Sequence, residues 1–448
     1  MNLMDVDRRC LWHPYTQMKD FEREDLLFVD RAEGIVLHGR DGRRYYDTIS
    51  SWWCILHGHR HPRIIAAVKA QLDRLDQVHL AGTTHEGAIR LAERLVALTP
   101  PGLTRVFYSD DGSTACEVAL KMSLHYWHLC GERRRTRFVG FERGYHGDTI
   151  GTMSLGGTPN FHGPYAPLMM PAFRVPAPYC YRCALGKTRE TCAVDCLAPL
   201  EALLEERGDE IAGIILEPML QGAGGMIVHP AAFVRGVAEA ARRHGVHLIL
   251  DEVATGFGRT GRLFALEHAG VCPDFLCLSK GLTAGMLPMA ATLTTEEVFS
   301  AFYDDYEKGT TFFHGHTFTG NPLAAAAALA SLELFDEGAL DAARPRMRQL
   351  QEGARRFEAL PHVGEVRGIG MVAAVELVAD KARKTPFPPE RRTGWQAYKA
   401  GLREGLILRP LGDVVYLFLP LSVTEAELED ILERTGRVLA RVGREGAA

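Results

Sequence analysis

No stretch of this sequence is apolar for as long as a membrane span requires. The longest small-apolar run, from Ala324 to Ala330, falls far short of the ~20 residues a spanning helix needs. The opening residues, MNLMDVDRRCLWHPY, hold no apolar core of signal-peptide length and carry acids early, so a cytoplasmic protein is expected. Neither sign of charge prevails. The chain has 51 Lys and Arg against 56 Asp and Glu, a net charge of −5, with no basic tail or stripe for nucleic acid and no long acidic run. Cysteine is too sparse for a disulfide scaffold, and ten in 448 residues are thiols by default in a reducing compartment. Walker A, HExxH and EF-hand patterns are missing, as is a G-x-G-x-x-G after the first strand.

What remains is an ordinary globular composition, 46% hydrophobic and 24% charged, in a chain too long for one core. Two lobes are therefore expected. Residues 62–78 have helical spacing, with Ile64, Ile65, Val68 and Leu72 on one side, and 86–98 repeat the pattern. Strands are predicted at 105–108 and 138–141, with a helix over 114–129 between them. Residues 211–216, 246–250 and 275–278 are continuous apolar runs, which suit strands buried on both faces. A helix at 233–244 separates the first two. Strand–helix alternation implies a mostly parallel sheet covered by helices, the α/β class. Beyond Ala339 the pattern changes to a smaller α+β lobe. It has short strands over 363–378 and 406–419, helices over 395–403 and from about 424, and an exposed proline-rich loop at 380–392. The expected division is an N-terminal segment (1–61) joining the small lobe and the active site, a large domain (62–338) and a C-terminal small domain (339–448).

Ligands of open α/β sheets bind at the carboxyl ends of the strands. Asp251 closes the run Leu248-Ile249-Leu250, and Lys280 closes the next, Leu276-Cys277-Leu278-Ser279. An acid at a strand end is often only a cap, and a lysine usually sits in solvent. A lysine delivered to a dry strand end, however, loses basicity and can form a Schiff base. Asp and Lys one unit apart are the pair that pyridoxal 5′-phosphate needs. The amine takes the aldehyde carbon, and the acid keeps the pyridine nitrogen protonated so that the ring is an electron sink. Gly112 and Ser113 open a helix after a strand, where backbone N–H groups can hold a phosphate. Tyr145, in GYHGDT, is an aromatic plate suited to a flat ring, and the segment around Thr317 offers further donors.

Together these residues resemble the class III, ornithine aminotransferase-like pyridoxal-phosphate enzymes of fold type I. The pieces that carry the resemblance are LILDEVATGFGRTG (248–261), LSKGL (278–282) and HGHTFTGNPLA (314–324), and it covers nearly the whole chain. The resemblance implies a large domain and a smaller α+β domain in a homodimer with active sites at the subunit interface. It assigns covalent cofactor attachment to Lys280, the pyridinium partner to Asp251, the phosphate to Gly112 and Ser113, and the two ring faces to Tyr145 and Val253. Thr317, beside Gly315 and His316, would reach the neighbouring subunit's phosphate, and Glu217 would lie near the lysine. The chain's ends resemble members that aminate 8-amino-7-oxononanoate. LWHPYTQM supplies Tyr15 to the substrate pocket, Trp52 and Trp53 wall it, and Arg409 in LRPLG meets the substrate carboxylate. Where many adenosylmethionine-using members carry proline, this chain has His316. A small or polar residue there is associated with lysine as donor, so S-adenosylmethionine and lysine both stand. An ω-amino-acid or diamine transaminase, or a non-catalytic ligand-binding protein on the same fold, are the alternative readings.

Two clusters remain. Cys180, Cys183, Cys192 and Cys196 form C-x2-C-x8-C-x3-C, a spacing with which four thiolates can close a structural zinc site, and which four unligated thiols share. His57, His59 and His61 alternate, but Gly58 and Pro62 favour a turn before a helix, where histidines are plain hydrogen-bonding groups.

Overall fold

The apolar runs lie at the centre of the structure, a computed structural model that describes residues 2–23 and 26–444. Near the N-terminus β1 (Val29–Glu33), β2 (Val36–Gly39) and β3 (Arg44–Tyr46) make a small antiparallel sheet. Then come β4 (Leu103–Ser109), β5 (Arg137–Phe141), β6 (Phe173–Val175) and β7 (Ile211–Leu216), and a hairpin of β8 (Leu220–Gln221) and β9 (Ile227–Val228). They are followed by β10 (His247–Asp251), β11 (Phe275–Leu278) and β12 (Ala290–Thr295). The central sheet has the order β4-β12-β11-β10-β7-β5-β6. β12 runs antiparallel to both neighbours, and the remaining pairings are parallel.

Every residue of β7, β10 and β11 is buried, which explains their unbroken apolar sequences. Helix Gly112–Leu129 covers one face of the sheet, and Ala231–His244 packs against β10. The alanine run lies within helix Pro322–Asp336, which packs against Pro62–Leu72 and Glu86–Leu98. Small side chains permit that approach. The predicted helix over 62–78 ends at Leu72, where the Gln71 side chain donates to the Leu75 carbonyl at 2.8 Å beyond the last turn.

The smaller lobe is an antiparallel sheet of β13 (Val363–Ile369), β14 (Val372–Leu377) and β15 (Val414–Phe418), with helices Ala339–Arg355, Thr393–Arg403 and Glu425–Arg444. Of the strands expected over 406–419 only β15 forms. Leu406 makes a single bridge to Tyr46 before Pro410 interrupts the run. The N-terminal segment is stitched into this lobe. The Tyr46 N–H donates to Gly405 O at 2.9 Å, the Ile407 N–H to Tyr46 O at 2.9 Å, and the Phe418 N–H to Thr48 O at 2.8 Å. Among the described residues no helix is long and apolar enough to cross a membrane.

Candidate active site

Asp251 is the last residue of β10, and Lys280 follows β11 after one residue. Because the two strands are parallel neighbours, with Asp251 opposite Cys277, both side chains reach the same edge of the sheet. They line one cavity of about 700 Å³, together with Gly112, Ser113, Tyr145, Glu217, Val253 and Trp53. The Lys280 backbone is left-handed, with φ 43°, a conformation held here by its surroundings.

Burial dominates the electrostatics. It lowers the basicity of the Lys280 amine, with the charges of Asp251 and Glu217 opposing it. Lys280 Nζ lies 5.1 Å from the Trp53 ring centroid. Asp251 is held by two donors: the Val253 N–H to Oδ1 at 3.0 Å and His146 Nδ1 to Oδ2 at 2.7 Å. The other nitrogen of His146, Nε2, is buried without a partner. Glu217 accepts from the N–H groups of Tyr145 at 3.1 Å and Gly222 at 2.8 Å, and burial still pushes its carboxyl up to about 7, with Asp251 adding to the rise.

On the cavity wall Asp111 caps helix Gly112–Leu129, accepting from the Thr114 N–H at 2.9 Å. Ser113 Oγ meets the hydroxyls of Thr149 at 2.8 Å and Thr152 at 3.0 Å. A Cβ at Gly112 would collide with Val253, and one at Gly147 (φ 124°) with Ser113. A helix start and two glycines thus leave a cradle in the cavity that Asp251 and Lys280 line. A desolvated amine, an acid with its own donor and a cradle in one cavity fit pyridoxal 5′-phosphate.

The mouth is built by an unusual turn. Ser50, Ser51, Trp52 and Trp53 have φ of 51°, 44°, 74° and 74°, and none is glycine. At ~1–2 kcal/mol for each left-handed residue, the turn costs ~4–8 kcal/mol. Two buried charges offset this. Asp47 accepts from the Ser51 N–H at 2.9 Å, Ser51 Oγ at 2.7 Å and His59 Nε2 at 2.8 Å. Arg259 donates to Ser50 Oγ at 3.3 Å and to the carbonyls of Trp53 at 3.3 Å, Ile55 at 2.6 Å and Leu419 at 2.5 Å. At ~1.5–3 kcal/mol per bond to a charged group, the Asp47 bonds alone are of the size required. The turn aims Trp53 at Lys280 and Trp52 at Arg409, whose guanidinium lies 4.0 Å from the Trp52 ring and 5.8 Å from that of Tyr15. Tyr15 OH is 3.3 Å from Tyr145 OH, and both hydroxyls donate to Asp148, at 2.8 and 3.0 Å.

Gly315, His316 and Thr317 do not line this cavity within the chain. His316 Nδ1 stands 2.9 Å from Asp110 Oδ2 at its rim, at ion-pair distance but not aligned as a hydrogen bond. The Thr317 carbonyl accepts from Gln77 at 2.7 Å. The four cysteines of the loop lie near one another, the charges of Cys183 and Cys192 adding to the upward push of burial on the thiols of Cys180 and Cys196. Cys180, Cys183, Cys192 and Cys196 are free, half-buried thiols. Cys180 and Cys196 sit on separate 3-10 turns, and among the described residues no three His, Cys, Asp or Glu side chains gather into a group able to hold a metal. His57 and His59 bond Ser331 and Asp47, and His61 leads into the helix at Pro62. Sequence reasoning missed the roles of Asp47, His146, Asp148 and Arg259. Asp148 and His146 lie beside Tyr145 in GYHGDT, the one signal that pointed towards them; Asp47 carried none.

Known proteins match this chain along nearly its whole length. The family model described as aminotransferase class-III matches residues 18–439. The adenosylmethionine-8-amino-7-oxononanoate aminotransferase of Geobacter sulfurreducens is 47% identical over 433 residues, 96% of each chain. The crystal structure of the like-named enzyme from Methanocaldococcus jannaschii superposes with a TM-score of 0.94 at 40% identity, covering 98% of both chains. An (S)-enantioselective omega-transaminase from Thermomicrobium roseum superposes with a TM-score of 0.93 at 34% identity, again over 98% of each. From the match across nearly its whole length, the chain belongs to the class III aminotransferases, enzymes whose cofactor is pyridoxal 5′-phosphate.

Proposed function

We propose that this chain transaminates 8-amino-7-oxononanoate to 7,8-diaminononanoate, the biotin-pathway step, with S-adenosylmethionine or lysine as amino donor, working as a cytoplasmic homodimer. The observation that carries the reading is the mouth. Arg409 lies against Trp52 and Tyr15, so a guanidinium stands at the end of an aromatic slot whose other end is Lys280. A long apolar chain ending in a carboxylate is the matching shape. Relatives named for that substrate support the choice.

When bound, pyridoxal phosphate supplies an electron sink for the substrate carbon. Asp251 holds the proton on the pyridine nitrogen, and His146 keeps the carboxylate oriented. Gly112 and Ser113 bind the phosphate, while Tyr145 and Val253 confine the ring. Lys280, of lowered basicity, takes the proton from the amine-bearing carbon of the donor and delivers one to the acceptor carbon. Trp53 shields that amine from water. Gly315, His316 and Thr317 are assigned to the neighbouring subunit's site. Exposed aromatics flank them, with Tyr303 79%, Phe313 81% and Phe318 60% exposed, as an interface segment requires. The division at 1–61, 62–338 and 339–448 belongs to the same proposal.

The test is direct. Purified protein loaded with pyridoxal phosphate is given 8-amino-7-oxononanoate with either donor, and 7,8-diaminononanoate is measured by chromatography. Diamine formed with one donor names that donor. No diamine with either, alongside turnover of a simple amine, rejects the substrate and leaves an ω-transaminase.

A further inference from the structure

The left-handed turn at Ser50–Trp53 makes an otherwise silent residue consequential. Asp47 does not line the cavity, and its side chain is 1% exposed. Both its oxygens are spent on the turn and its support. Oδ1 accepts the Ser51 N–H at 2.9 Å, and Oδ2 accepts Ser51 Oγ at 2.7 Å and faces His59 Nε2 at 2.8 Å. Arg259 and Ser50 secure the flanks, Ser50 Oγ donating to Phe418 O at 2.6 Å. Asp47 grips the second residue of the turn, the one immediately before Trp52, by its N–H and hydroxyl, while Cys54 Sγ reaches the Ser51 carbonyl at 3.2 Å. Without that grip Ser51 returns to the right-handed region that a residue with a Cβ prefers. The rotation swings Trp52 away from the Arg409 guanidinium it contacts at 4.0 Å. Trp53 is anchored separately, through Nε1 to Tyr416 OH at 3.1 Å and a stack on Phe418 at 5.5 Å. The effect therefore falls on the carboxylate end of the slot and spares the lysine end.

We infer that Asp47 is a positioning residue for acceptor recognition: its carboxylate enforces the left-handed turn that sets Trp52 against Arg409. This rests on the reading of Arg409 and Trp52 as the anchor for the acceptor's carboxylate. It predicts a split in kinetics that general loss of structure would not produce. In the loaded holoenzyme, Asp47→Ala raises the KM for 8-amino-7-oxononanoate at least tenfold, with kcat within about threefold and the cofactor's visible absorbance unchanged.

Ser51→Gly supplies the independent arm, because glycine adopts positive φ without a steric penalty. Alone it melts a few degrees above Ser51→Ala, which loses the same hydroxyl bond to Asp47 but keeps the Cβ strain. Added to Asp47→Ala it recovers most of the lost acceptor affinity. A melting temperature for Ser51→Gly below that of Ser51→Ala overturns the inference even if Asp47→Ala does not fold. So does an unchanged KM in Asp47→Ala, or a failure of Ser51→Gly to rescue it. Trp52→Ala separates this from the underlying assignment. If it leaves the acceptor KM unchanged, the anchor itself is wrong; if it raises KM while Asp47→Ala does not, only the role of Asp47 falls.

Discussion

Glu217 offers a prediction in which proton, charge and stability can each be followed. Burial lifts its carboxyl from 4.5 to about 7, with Asp251 adding to the rise. At pH 6 an ordinary glutamate is about 97% ionised, whereas Glu217 is ionised in only about a tenth of molecules. In the unfolded chain the group reverts to its ordinary value, so the folded state binds the extra proton. Its contribution to stability is fully present below pH 4.5 and is lost as pH rises through 7. The loss amounts to about 3 kcal/mol by pH 8.5. Glu217→Gln removes the titration at another cost. Glutamine has one acceptor oxygen where Glu217 receives the N–H groups of both Tyr145 and Gly222, so one buried donor goes unpaired, at about 1–3 kcal/mol. Cofactor-free Glu217→Gln is therefore less stable than wild type at pH 5 and equal to it or better at pH 8.5. Denaturation midpoints at the two pH values measure this, and a proton difference titration between the proteins locates the group near pH 7. A stability difference that stays flat from pH 5 to 8.5, or an inflection near 4.5, refutes the reasoning.

Other substitutions probe the remaining parts. Lys280→Ala lowers turnover by about four orders of magnitude or more and abolishes the visible band of the lysine-bound cofactor; near-wild-type turnover contradicts the assignment. Arg409→Ala raises the acceptor KM about 30- to 100-fold, the loss of one charged bond, and leaves kcat within a few-fold. Arg409→Lys recovers only part, because it lacks the planar fork that lies on Trp52. Gly112→Ala drives a Cβ into Val253 and weakens cofactor binding at least tenfold by equilibrium dialysis, with partial recovery when Val253→Ala is added. His146→Asn, which keeps a donor towards Asp251, retains the cofactor better than His146→Leu in the same assay.

The cofactor end of the site was readable because it sits where patterning is strongest. β10 and β11 are buried on both faces, so their runs are unbroken, and a charged residue closing each run stands out. The mouth was not readable that way. Tyr15, Trp52, Trp53 and Arg409 come from the two ends of the chain and meet only through tertiary contacts, so resemblance located them and periodicity could not. The left-handed turn was invisible for a sharper reason: no glycine or asparagine marks it, and the forces that hold it come from Asp47 and Arg259, one of them more than 200 residues away. The reversed sense of β12 left no trace in its composition, since burial is the same in either direction.

The bonds from Tyr46 and Thr48 to Gly405, Ile407 and Phe418 also dictate an order of assembly. During synthesis the large sheet has all its strands once Thr295 has emerged, but the stretch carrying the tryptophans must wait for more than a hundred further residues before its partners exist. A nascent chain stalled before β15 would therefore carry a nearly finished cofactor cradle beside an unformed substrate wall.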